Sequence, residues 1–305
     1  MRISTTTLFE TGSNRISDLQ VALQKTQQQL SSGRRMQSAA DDPVASASAL
    51  EVTQSQTLNA QYAANRGVAR DALTLTESTL TSVSQLVQDA RALAVQAGNG
   101  TYSDKDRAPL AAELRSQLDQ LIGLANARDG AGEYAFAGYQ VDTVSFTKVA
   151  GVVQYNGDQG QRYLQVGSGR AMAVGETGQG IFMSGGQDLF KTIGDLATVL
   201  ETPVVTAADK TAMRAGLDTA LTQLDRGLDS VVTTLATVGA RMKELDGLDN
   251  VGSSLDVQYA TSLSKLQDVD YAKAISQLSQ QQTTLEAAQK SYVKITGLSL
   301  FNYLS

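Results

Sequence analysis

Carboxylates and glycine-rich runs are the residues to weigh first for chemistry, because the usual nucleophiles and bases are missing. The chain contains no cysteine and no histidine. That excludes disulfides, thiolate nucleophiles, haem attachment and the common zinc sites. It also removes the commonest general base near neutral pH. Among the acidic residues, Asp41-Asp42 and Asp268-x-Asp270 are two pairs to weigh. A paired acid–base site needs a distant partner and a cleft, and a calcium loop needs later Asn/Asp, Gly and Glu residues that do not follow Asp270. Asp41-Asp42 therefore reads as a helix cap ahead of Pro43, and Asp268–Asp270 as a solvated hinge. Gly167-Ser168-Gly169-Arg170 and Gly175-Glu176-Thr177-Gly178-Gln179-Gly180 have the composition of phosphate loops. However, Ile181-Phe182 stands where a phosphate loop needs Lys followed by Ser or Thr, and Met172 stands where the dinucleotide pattern needs its third glycine. Both runs read as turns, as does the sequon-like Asn99-Gly100-Thr101. No catalytic, cofactor-binding or metal-binding residue is expected.

Helices must carry most of these positions. In 305 residues, 42% are hydrophobic, only 5% are aromatic, and Trp is absent. The apolar content is Ala, Leu and Val, which suits long, closely packed helices. Net charge is −6. The basic run Gly33-Arg34-Arg35 is too short for a nucleic-acid footprint, so no nucleic-acid partner is expected. No window reaches the roughly eighteen apolar residues of a membrane span. No signal-peptide stretch follows Met1–Thr7, so any export is expected to use a route without a cleaved hydrophobic signal.

Periodicity divides the chain into three zones. Ile16, Leu19, Leu23, Thr26 and Leu30 form a coiled-coil-like stripe that Gly33 ends. A long second helix opens at Asp42-Pro43, and its stripe from Leu73 runs through Thr76, Leu80, Val83, Val87, Ala90, Ala94 and Ala97. A third helix is expected near Pro109, with Leu110, Leu114, Leu118, Leu121 and Ala125 on one face. Residues 133–190 are rich in glycine, aromatic and β-branched residues. Val144–Thr147, Val152–Tyr155 and Tyr163–Val166 read as strands, with Asn156-Gly157 as a hairpin turn between the last two. Leu217 to Leu245 then alternates steps of four and three, and Gly247 and Gly252 suggest an interruption. Tyr271, Ile275, Leu278, Gln282, Leu285, Gln289 and Tyr292 form the last stripe. The expected fold is mainly α with a small β-rich insertion. The N- and C-terminal segments would form a long coiled-coil-like bundle. Three domains are expected: residues 1–42 with 268–305, residues 43–132 with 191–267, and the β-rich 133–190. The terminal stripes need partners, so a self-assembling structure is expected, with an adhesin or general coiled-coil binding module as the alternative.

The run Leu30-Ser31-Ser32-Gly33-Arg34-Arg35-Met36-Gln37-Ser38-Ala39-Ala40-Asp41-Asp42-Pro43 resembles the N-terminal signature of the flagellin superfamily. The likeness spans roughly residues 1–95 and 205–305. Within that superfamily, the ending Leu298-Ser299-Leu300-Phe301-Asn302-Tyr303-Leu304 is similar to the branch at the hook–filament junction. A minor or short filament flagellin is the alternative. The resemblance implies a non-enzymatic subunit of the extracellular flagellum. It would be exported unfolded by the flagellar type III apparatus after binding an export chaperone. It would assemble as a homo-oligomeric ring between hook-associated protein 1 and flagellin, with residues 133–190 facing outward. It also implies terminal segments that are flexible in the monomer. Leu19, Leu23, Leu30, Ile275, Leu278, Leu285, Tyr292, Leu300, Phe301 and Tyr303 are the implied interface residues, with Leu278, Leu285 and Tyr292 packing between subunits. Gly33, Arg34, Asp41, Asp42 and Pro43 form the signature turn and cap.

Overall fold

The computed structural model describes residues 5–301. The helices are α1 (Thr5–Ser32), α2 (Pro43–Ala97), α3 (Asp104–Ala125), α4 (Gly178–Phe182), α5 (Leu189–Glu201), α6 (Ala207–Gln267) and α7 (Tyr271–Phe301). Between α3 and α4 lie β1 (Phe146–Val149), β2 (Val152–Tyr155), β3 (Tyr163–Gly167) and β4 (Arg170–Ala173). The fold is thus mainly helical with a small β-rich insertion. Two compact units form: Met1–Leu58 with Ser254–Ser305, and Asn59–Ser253. These boundaries fall inside α2 and α6, because both helices run on past the loops that periodicity marks as domain edges.

Capping explains where the helices begin. Asp42 Oδ1 accepts the Ala45 N–H at 3.0 Å, which makes Asp42 the N-cap of α2 and Pro43 its first residue. Ser103 and Asp106 form a capping box that starts α3 at Asp104, five residues before the Pro109 start expected from sequence. Pro109 lies inside the helix near its N-terminal end, where the capping box has already nucleated the turn. Thr206 and Asp209 cap α6 reciprocally, through Thr206 N to Asp209 Oδ2 at 2.7 Å and Asp209 N to Thr206 Oγ1 at 3.1 Å.

In the unit Asn59–Ser253, one core joins α2 from Leu80 to Ala97, α3, α5 and α6 from Met213 to Val231. The α2 stripe from Leu73 to Ala97 is buried throughout, with Leu80, Val83, Val87, Ala90 and Ala97 at 0% exposure. Phe136, Phe146, Phe182 and Phe190 fill the middle of that core, with neighbouring ring centroids 4.9–5.7 Å apart. Asn126 pins β1 to the core by exchanging two 2.8 Å hydrogen bonds with the Phe146 backbone. A second core joins Ala69, Leu73, Val238 and Leu245 to Val166, Met172 and Val174 beside β3–β4.

Two sequence expectations are corrected here. Asn156-Gly157 is not a hairpin turn: β1 pairs with β2 and β3 with β4. The β1–β2 turn is Ala150-Gly151, both at positive φ (52° and 86°), which suits a two-residue hairpin loop. The apolar piece Ile181–Met183 forms the end of the short helix α4 and its C-cap. Gly247 and Gly252 do not interrupt α6, which is continuous to Gln267. Gly252 instead gives room to a neighbour: a Cβ there would lie 2.5 Å from Arg66 Nη2.

Candidate assembly interface

The unit built from both chain ends contains α1, the start of α2, the end of α6, and α7. Helices α1 and α7 pack antiparallel. Near one end Tyr292 meets Phe9 edge-on, with ring centroids 5.1 Å apart. Gly12 makes that fit possible, since a Cβ there would lie 2.8 Å from the Tyr292 ring. At the other end Gly33 lies against the Tyr271 hydroxyl. On α1, Ile16, Leu19, Leu23 and Leu30 are half-buried and Thr26 is buried.

On α7 the inward face is Ala274, Leu278, Gln281, Leu285, Ala288 and Tyr292, at steps of four and three. This corrects the stripe read from sequence. Leu278, Leu285 and Tyr292 do turn toward α1 within the chain. Tyr271, Ile275, Gln282 and Gln289 lie on the flank and are exposed, Ile275 at 57%. Small and polar residues at Ala274, Gln281 and Ala288 make a thin seam. The Gln281 side-chain oxygen is buried without a hydrogen-bond partner, which weakens the seam further.

Two turns are tied together where the helices meet. Gly33, at φ +69°, ends α1 in the left-handed region that glycine adopts without strain. Its carbonyl accepts the Val269 N–H at 3.0 Å, the Arg35 N–H donates to the Gln267 carbonyl at 2.6 Å, and the Arg34 and Asp268 backbones thereby form a single antiparallel β-bridge. The Arg35 guanidinium donates to the Leu266 carbonyl at 2.9 Å and to Asp42 Oδ2 at 3.2 Å. A cation is thereby placed on the last turn of α6, where the helix dipole favours it. Asp41 accepts the backbone N–H groups of Gln37 and Ser38 and the Lys25 ammonium at 2.7 Å. The Lys25 hydrogen bond, with the two backbone donors, holds its carboxyl down at about 2. The Ala45 N–H, then Arg35, hold Asp42 below its ordinary value. Asp270 caps α7 by accepting the Lys273 N–H at 3.0 Å. These acids act as caps and clamps on backbone donors. Lys25 and Gly12 are contributors that sequence reading passes over, because a lone charge or glycine carries no periodic signal.

Around the turns lies exposed apolar surface. Val44 is 78% exposed and Leu50 71%. Leu50, Arg34, Met36 and Gln267 line an open groove of about 270 Å³. Val21 on α1 and Val293 on α7 are also exposed. The side chains of Leu300 and Phe301, and Tyr303 entirely, lie outside the described residues. Among the described residues, no helix is long and apolar enough to cross a membrane, and no group of three or more acidic side chains is placed to hold a metal ion.

Long terminal helices brought together, with a capped turn between α1 and α2, define a protein whose two chain ends form one helical unit. The bacterial flagellin N-terminal helical region matches residues 3–141. The chain is 36% identical over 315 aligned positions to flagellar hook-associated protein 3 of Escherichia coli strain K12, covering 99% of each. It is 28% identical to a flagellin of Bacillus subtilis strain 168, over 90% of each. Its fold matches that of the flagellar junction protein FlgL from Legionella pneumophila with a TM-score of 0.63 at 20% identity, over 72% of this chain and all of that one. The chain belongs to the flagellar hook-associated protein 3 family, a family of structural flagellar proteins.

Proposed function

We propose that this protein is the structural subunit that joins the flagellar hook to the filament. In this reading it forms a homo-oligomeric ring, with hook-associated protein 1 on the hook side and flagellin on the filament side. It reaches the distal end of the hook through the type III export apparatus, after an export chaperone has held it in the cytoplasm. The observation that carries the reading is the incomplete surface of the terminal unit. Its α1–α7 seam is thin, while Val21, Val44, Leu50, Ile275 and Val293 stay exposed on the outer faces. Burying one such side chain stabilises an assembly by about 1–2 kcal/mol. A neighbouring copy supplies that burial repeatedly, as closed symmetry allows.

Residues 1–42 and 268–305 serve as the assembly segment, 43–132 and 191–267 as the helical body, and 133–190 as the outward-facing part. Leu19, Leu23, Leu30, Leu278, Leu285 and Tyr292 hold the two terminal helices in register. Ile275, with Leu300, Phe301 and Tyr303, meets neighbouring subunits. The alternative of a filament flagellin has less support: overall identity is lower and covers less of the chain for the Bacillus flagellin than for the Escherichia hook-associated protein.

Removal of Leu298–Ser305 tests the assembly reading. The shortened chain should unfold as cooperatively as the full chain and should not decorate purified hooks. Normal decoration would refute it. Immunogold labelling of intact flagella should give one band at the hook end, and labelling along the whole filament would support the flagellin alternative.

A further inference from the structure

The chain contains two Asn-Gly pairs, Asn99-Gly100 and Asn156-Gly157, in opposite chemical settings. We propose that Asn99 is a site of spontaneous, fold-directed modification: its side chain cyclises with the Gly100 backbone and converts to aspartate and isoaspartate. Asn156 is protected by the fold.

The reaction is an intramolecular acyl transfer. Hydroxide removes the Gly100 amide proton, and the nitrogen attacks the Asn99 side-chain carbonyl carbon. A new C–N bond closes a five-membered succinimide. The Nδ2–carbon bond breaks, and the amine takes up a proton and leaves as ammonia. Water then opens the ring at either carbonyl. Opening at one carbonyl gives aspartate, and opening at the other gives isoaspartate with the main chain rerouted through the side chain. Overall one water is consumed and one ammonia released, with no oxidant or cofactor.

The barrier depends on charge that develops on the side-chain oxygen in the tetrahedral intermediate. At Asn99 that oxygen already accepts two donors, the Thr101 N–H at 3.2 Å and the Thr101 hydroxyl at 3.0 Å. Both polarise the carbonyl toward attack and stay in place as the oxyanion forms. Gly100 is exposed, and a Cβ there would meet nothing within 4 Å, so the turn is uncrowded on that side. This turn lies between α2 and α3.

At Asn156 the hydrogen bonds fall on the other atom. Nδ2 donates to the Val144 carbonyl at 3.2 Å and to the Thr147 hydroxyl at 3.0 Å. Those bonds hold the leaving group in its amide form and fix the side chain. Backbone bonds frame both pairs: Asn99 N–H donates to the Gln96 carbonyl and its own carbonyl accepts the Tyr102 N–H, both at 3.1 Å, while Asn156 N–H donates to the Ser145 carbonyl at 2.9 Å and Asp158 N–H to the Ala137 carbonyl at 3.1 Å. Between them Gly157 is wedged against the Tyr155 hydroxyl and the Ala137 carbonyl. The rotation that ring closure requires would break these contacts.

One digest reads both sites, since trypsin places Asn99 in Ala92–Lys105 and Asn156 in Val149–Arg162. The full chain is aged at mildly alkaline pH, and each peptide is followed by mass spectrometry and by isoaspartyl methyltransferase labelling. The native protein should convert Asn99 about tenfold faster than Asn156 or more. In concentrated urea the two should converge to within about twofold. Thr101→Val keeps the backbone donor but loses the hydroxyl, and should slow Asn99 several-fold without changing the circular dichroism. Equal native rates, an Asn99 excess that persists in urea, or an unchanged rate in Thr101→Val would each overturn the proposal.

Discussion

Replacing Arg66 by Met should destabilise the unit Asn59–Ser253 out of proportion to a surface charge, because Arg66 is itself buried and serves a buried carbonyl and a carboxylate at once. Its side chain is 4% exposed, and its Nε donates to Asp249 Oδ1 at 2.5 Å. Its Nη1 donates to the Val166 carbonyl at 3.1 Å, where the β3–β4 register shifts and Val166 has no cross-strand partner of its own. Its guanidinium also fills the space beside Gly252. Losing the donor leaves a buried carbonyl unpaired, at a cost of about 1–3 kcal/mol. The Asp249 contact adds less, about 0.5–1 kcal/mol, since Asp249 is 36% exposed and keeps Arg70 at 2.8 Å. Met is cheaper to bury than a guanidinium, which offsets part of the loss. The net is roughly 2 kcal/mol, a fall in melting temperature of about 4–8 °C for a unit of this size. Scanning calorimetry measures it directly. Arg66→Lys should recover less than half, because one compact ammonium cannot reach Asp249 and Val166 together. A shift under about 1 °C for Arg66→Met, or full recovery by lysine, would refute the reasoning.

Other outcomes follow from the terminal unit. Ile275→Ser should leave the melting temperature of the monomer within about 1 °C, as for other exposed positions, yet reduce binding to purified hooks about tenfold; unimpaired binding would remove Ile275 from the interface. The Asp41 carboxyl should titrate with a midpoint near 2 by NMR. Its depressed folded value means that its stabilising contribution is complete above the ordinary 3.8 and is lost as pH falls toward 2. Lys25→Met should raise that midpoint, and an unchanged midpoint would show that Lys25 is not its main partner. Hydrogen exchange on the monomer should be faster across α1 and α7 than across Leu217–Leu245, and equal protection would contradict a terminal unit completed only by its neighbours.

Local signals carried far along this chain. Period and caps are properties of contiguous residues, so the α2 stripe from Leu73 to Ala97, the Asp42-Pro43 start and the glycine end of α1 at Gly33 could all be read before any contact was known. The flagellin-type class was legible for the same reason, in the single run Leu30–Pro43. The Ser103–Asp106 box was equally local but was overshadowed by Pro109.

Tertiary structure decided what contiguity leaves open. On α7 two overlapping stripes share Leu278, Leu285 and Tyr292. The bulky flank residues Tyr271 and Ile275 made the wrong stripe look more apolar, and only the approach of α1 selects the small-residue face of Ala274, Gln281 and Ala288. Hairpin partners depended on Ala150-Gly151, because backbone twist rather than a favourable dipeptide closes a two-residue loop. Gly252 resembled a helix breaker in sequence and is a seat for Arg66 in space. Helix period and capping are written in neighbouring residues. The choice of which face is buried, and of which glycine is needed for closeness, depends on atoms that arrive from elsewhere in the chain.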